Sequence, residues 1–208
     1  MSDKVALIDY GAGNLHSVHN ALKAVGADVE VTADANTVRA ADRIVLPGVG
    51  SFKACADGLH AIPGMAEAMA ERVHVGGAPF LGICVGMQLL ATKGLEHGET
   101  PGLGWIEGEI RPIEPSDPAI KIPHMGWNDV APMAHAKDHP VLDMGEAYFL
   151  HSYHFAADNP SDIAAMTDHG QGLVAAVARD NILGVQFHPE KSQQYGLTLL
   201  ERFLAWKV

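Results

Sequence analysis

The chain has 208 residues, 48% of them apolar, enough for one packed domain spanning 1–208 without a second unit. Fourteen basic residues against 25 acidic ones leave a net charge of −11, which would repel a phosphate backbone and argues against nucleic acid as a partner. No apolar stretch approaches a membrane span, and Met1-Ser2-Asp3-Lys4 leads straight into a strand-like run; with only Cys55 and Cys84 and no Cys-x-x-Cys pair, a cytoplasmic, disulfide-free protein is expected.

In chain order, Val5 to Tyr10 is a short apolar run without polar alternation, the pattern of a strand buried on both faces of a parallel sheet. Gly11-Ala12-Gly13-Asn14 turns the chain, and Leu15, Val18, Leu22 and Val25 predict an amphipathic helix stopped by Gly26. The Gly-x-Gly falls short of a dinucleotide fingerprint because His16 stands at the third glycine, so no nicotinamide cofactor is expected. Val29 to Thr32 and Arg43 to Leu46 predict two further strands, the second running into Pro47-Gly48-Val49-Gly50-Ser51. Two close glycines let backbone approach a ligand and offer amides to negative charge, although an ordinary strand-helix turn reads the same way. Ile62, Met65, Met69 and Val73 mark a helix.

Pro79 to Gln88 is the most informative stretch. An apolar run ends at Cys84, with Gly82 and Gly86 two residues away on each side, which reads as a strand turning sharply into a helix. Such a turn holds its central side chain strained and exposed, and the following helix start favours a thiolate. A buried structural cysteine is the alternative. A hundred residues on, Gly184-Val185-Gln186-Phe187 ends in His188-Pro189-Glu190. Proline extends the preceding residue, so His188 and Glu190 can project together: an imidazole base oriented by a carboxylate, the two groups a nucleophilic cysteine needs.

From about residue 103 the pattern changes to short β-like pieces at 110–113, 119–122, 147–155, 163–167 and 173–178, predicting an antiparallel extension of the parallel sheet. A closing helix is expected over 193–206. Twelve histidines call for a metal check, but neither His135/His139 nor His151/His154 sits in a helix that would aim the pair at one ion, so no metal is expected.

Six segments together carry a family resemblance: Asp9 to Asn14, Pro47 to Phe52, Gly82 to Gln88, His124-Met125-Gly126-Trp127-Asn128, Tyr148 to Tyr153, and Gln186 to Glu190. In this order they resemble the triad (class I) glutamine amidotransferases, and among these the glutaminase subunits of histidine biosynthesis, nearly end to end. Val85 stands where leucine is common, which leaves its amide in place. The resemblance implies an open, mostly parallel α/β sheet of flavodoxin-like type. It also implies a Cys84-His188-Glu190 triad, an oxyanion hole from Val49, Gly50 and Val85, and glutamine contacts from Gly50, Gln88, Glu96, His151, Ser152 and Tyr153. No cofactor is implied. The implied partner is a (β/α)₈-barrel cyclase subunit forming a heterodimer through Asn14, Trp127, Tyr148 and Lys191. Glutaminases of anthranilate or pyridoxal phosphate synthesis, a peptidase-like hydrolase and a non-catalytic module on the same fold are the alternatives.

Overall fold

The computed structural model describes residues 3–208. Its first half alternates strand and helix: β1 (Lys4–Ile8), α1 (Leu15–Ala24), β2 (Asp28–Thr32), α2 (Ala35–Ala40), β3 (Arg43–Gly48), α3 (Phe52–His60), α4 (Met65–Ala70), which continues as a π-helical turn over Glu71–Val75, and β4 (Phe80–Cys84). Every residue of β3 and β4 is buried, as are the last four of β1, which is why these strands read as unbroken apolar runs. α1 buries Val18 and Leu22 and ends at Gly26, whose φ of +84° provides the left-handed stop. The helix expected from Ile62 starts only at Met65, after Gly64 at φ +73°.

The second half is α5 (Val85–Gln88), β5 (Lys93–Gly94), β6 (Thr100–Pro101), β7 (Gly108–Pro112), β8 (His124–Pro132), β9 (Gly145–His151), β10 (Tyr153–Ala157), β11 (Ile163–Asp168), β12 (Gly172–Arg179), β13 (Ile182–Val185) and α6 (Gln193–Ala205). Nine strands form one sheet in the order β2-β1-β3-β4-β13-β12-β11-β8-β9. The first five run parallel in the flavodoxin-like order, and the other four extend the sheet antiparallel, so the expected extension is present. A second sheet, β10-β7-β5-β6, packs alongside. One continuous core, with Phe52, Phe80, Phe149, Phe155, Phe187 and Phe203 fully buried, serves both. Each such ring contributes on the order of 2 kcal/mol by leaving water.

Two expectations are corrected. Residues 119–122 are not a strand: they lie in a loop, anchored where His169 Nε2 donates to the Lys121 carbonyl (2.9 Å). The single strand expected over 147–155 is two strands in different sheets. The break falls at Ser152, where His151 Nδ1 bonds the Tyr153 carbonyl (2.8 Å) across the kink.

Candidate active site

Cys84 ends β4 with φ +55°, a strained conformation for a side chain with a Cβ. The local sequence leaves no choice. A Cβ on Gly86 would collide with the Leu46 carbonyl, and one on Gly82 would lie 2.7 Å from the Gly86 oxygen, so strand and turn pass closely only because both are glycine. Contrary to the exposed position expected, Cys84 is only 4% exposed and forms the floor of a cavity. The helix after it is short. α5 is a single turn, because the carbonyls of Leu89, Leu90 and Ala91 are taken by amides of residues 103–106 returning across its end. A four-residue helix supplies little dipole, and the charge partner of the sulfur is the imidazole instead.

His188 follows β13, next to β4 in the sheet. Its Nδ1 lies 2.8 Å from Glu190 Oε1, and both side chains are almost fully buried. Burial alone would pull the His188 pKa down; hydrogen bonds to Cys84 and Glu190, and their charges, outweigh it and raise it to about 10. His188 therefore carries its proton at neutral pH. The segment is held by Ser192, whose Oγ donates to the His188 carbonyl (2.6 Å) and accepts the Tyr148 amide (3.0 Å), and by the His188 amide, which donates to the Tyr148 carbonyl (2.9 Å).

A cavity of ≈ 440 Å³ opens above the sulfur. It brings together Val49, Gly50, Cys84, Val85 and Gln88 from the two strand-end turns with Glu96, His151, Ser152, Tyr153, His188 and Lys191. Gly50 sits at φ +95°, and the Cys55 thiol donates to the Val49 carbonyl (3.4 Å) from below the loop. Tyr10 Oη donates to the Pro47 carbonyl (2.6 Å), so the loop is held at both ends. Glu96 accepts the Phe52 amide at Oε2 (2.7 Å), capping α3 jointly with Ser51.

Asn14, Trp127 and Tyr148 do not line this cavity. Trp127 and Tyr148 are cross-strand partners on β8 and β9 with ring centroids 6.1 Å apart, and Lys191 Nζ lies 5.8 Å from the Tyr148 ring centre. Asn14 is half-buried at the start of α1, a helix that packs against the 189–191 turn. Sequence reasoning gave no role to Gln186, a fully buried amide, or to His124, buried opposite His151. For Gln186 the available signal was a polar residue inside an apolar strand run.

Comparison with known proteins fits this arrangement. The chain is 57% identical to "Imidazole glycerol phosphate synthase subunit HisH" of Zymomonas mobilis over 208 residues, covering 99% of this chain and 97% of that one. It is 52% identical to the protein of the same name from Caulobacter vibrioides, covering 98% of each. Among solved structures, one titled "Crystal structure of glutamine amidotransferase" superposes with a TM-score of 0.74 at 19% identity, covering 97% of both chains, a likeness of fold. The family model described as "Glutamine amidotransferase class-I" matches residues 6–206, and the chain belongs to that family.

Proposed function

We propose that this chain is the glutaminase subunit of an imidazole glycerol phosphate synthase. It hydrolyses L-glutamine to glutamate and passes the ammonia to a cyclase subunit that makes imidazole glycerol phosphate and aminoimidazole carboxamide ribotide in histidine biosynthesis. The observation that carries this reading is the Cys84 elbow facing the buried His188-Glu190 pair, in a chain 57% identical to a HisH subunit.

The chemistry follows from the groups present. The Cys84 sulfur adds to the carboxamide carbon, and the oxygen takes up the negative charge against the amides of Val85 and the Val49-Gly50 loop. Each such donor contributes roughly 3 kcal/mol to the transition state, about a hundredfold in rate. The C–N bond breaks as His188 gives its proton to the departing ammonia, leaving a γ-glutamyl thioester. Water then attacks, His188 takes its proton, and glutamate leaves as the sulfur is released. Glu96 retains Oε1 for the substrate ammonium group, and Gln88, His151, Ser152 and Tyr153 form the wall along the substrate chain.

The outer face of the β8–β9 ribbon supports a protein partner. At the end where the two strands meet the cavity the usual polarity is reversed: Met125, Trp127 and Leu150 are exposed, while His124 and His151 are buried. With Val49 and Ile122, also exposed, they give the mouth of the cavity an apolar rim suited to the cyclase. Asn14, Trp127, Tyr148 and Lys191 are the positions proposed for that contact. Lys191 joins rim and site, since it lies over Tyr148 and follows Glu190 directly. The glutaminase rate, measured with and without the cyclase and its nucleotide ligand, should rise strongly when both are added; a rate indifferent to them would contradict the assignment. In the same titration, Lys191→Ala is expected to lower the stimulation at saturating partner, relative to its own basal rate, by about fivefold, the worth of one cation–π contact of about 1 kcal/mol. An unchanged ratio would remove Lys191 from the coupling.

A further inference from the structure

A continuous chain of hydrogen bonds runs from the outer ribbon to the sulfur of Cys84. Asn128 Nδ2 donates both to the Asp168 carbonyl (2.7 Å) and to Nε2 of His124 (3.0 Å). Because His124 accepts at Nε2, its proton is on Nδ1, which donates to Nε2 of His151 (2.9 Å). His151 in turn carries its proton on Nδ1 and donates it to the Tyr153 carbonyl. That carbonyl also accepts from Gln88 Nε2 (3.2 Å), whose other hydrogen goes to Gln186 Oε1 (3.0 Å). With its oxygen engaged, Gln186 turns its amide nitrogen to Cys84 Sγ at 3.7 Å. A flipped Gln186 would set two NH₂ groups against each other and its carbonyl oxygen against the sulfur.

The surroundings keep the chain in this sense. Burial first, then the neighbouring His169, holds His124 down to about 4; burial likewise holds His151 down to about 3, so both rings stay neutral and each keeps one acceptor. His124 is stacked between Phe149 (4.6 Å) and His169 (4.3 Å), which fixes its plane. Gln186 itself has no exposed surface. A fixed, dry N–H donor is worth more to a charged acceptor than to a neutral one, so its effect falls on the thiolate.

We propose that Gln186 is a further catalytic residue, a second donor besides His188 that stabilises the Cys84 thiolate, and that Gln88, His151 and His124 are positioning residues that lock its amide toward the sulfur. The donor acts twice. It holds the attacking sulfur as the anion, and it eases expulsion of the same anion when the thioester is hydrolysed. This role rests on Cys84 being the nucleophile.

The test is the pH dependence of Cys84 alkylation by iodoacetamide in the isolated full-length subunit, read by mass spectrometry so that Cys55 is scored separately. It needs no glutamine turnover and so stands apart from the glutaminase reading. The titratable groups around the sulfur are His188 and Glu190, Tyr10 and Cys55 under the loop, and Glu96, His97, His151 and Lys191 in the cavity wall. Substitution at 186 changes none of these residues. Gln186→Leu is expected to shift the midpoint up by about one pH unit, about tenfold less thiolate below it, and the near-isosteric Gln186→Glu by more. His124→Phe, which keeps the ring in its stack and deletes its hydrogen bonds, is expected to give a smaller upward shift that adds nothing in the Gln186→Leu background. An unmoved midpoint in the Gln186 variant that folds would overturn the donor role even if glutaminase activity fell. A His124→Phe shift that adds fully to that of Gln186→Leu would overturn the lock.

Discussion

Cys84→Ala is expected to abolish glutamine-dependent synthesis by the reconstituted pair while ammonia-dependent synthesis by the cyclase survives. The loss of glutaminase turnover should be on the order of 10⁴-fold or more, since the groups of such a triad act as a unit. No second thiol can take over. Cys55 is fully buried beneath the 48–50 loop, its thiol is committed to the Val49 carbonyl, and burial pushes its pKa up. The cavity holds no other group of comparable nucleophilicity, and only the nitrogen source is lost. Measuring both reactions decides the matter: equal loss of both, with the complex still formed, would contradict the division of labour between the subunits.

His188→Ala is expected to cost about as much, and Glu190→Gln about 10- to 100-fold less, because the carboxylate orients and charges the imidazole without replacing it. Glu190 Oε1 bonds His188, whereas Oε2 is buried without a hydrogen-bond partner. A glutamine can still present its oxygen to Nδ1, but without the charge that helps hold the imidazolium. The pH profile should report this. His188 has its folded pKa raised from an ordinary 6.5 to about 10, so activity that needs its proton persists through neutrality and falls as pH rises toward about 10. The stability this proton contributes is likewise complete below about 6.5 and is lost as pH rises through the folded value. In Glu190→Gln both declines should move to lower pH. A descending limb that stays in place would mean that Glu190 does not act through His188.

The residues proposed as the triad could be singled out because each stands in a local pattern. Glycines two residues on either side of Cys84 are demanded by the close pass between β4, β3 and α5, and His188 and Glu190 are two residues apart. β1, β3 and β4 were legible because burial on both faces leaves them almost no polar alternation. β8 was unreadable as a strand for the opposite reason. Its first half exposes Met125 and Trp127 and buries His124, inverting the expected pattern, and only Val130 further on is buried in the ordinary way. α3 went unread although its signals are local: Ser51 caps its start, and Phe52, Cys55, Ala56 and Leu59 fall on one buried face. How short α5 is could not be read locally, since residues 103–106 return across its end.

Cys84 is expected to attack the carboxamide of glutamine in this cavity. The most direct measurement is covalent trapping by an electrophilic glutamine analogue, with the labelled residue located by mass spectrometry and L-glutamine as competitor. One label per chain is expected, on Cys84, blocked by glutamine and absent in Cys84→Ala. Label on Cys55, or label on Cys84 that glutamine does not block, would contradict it.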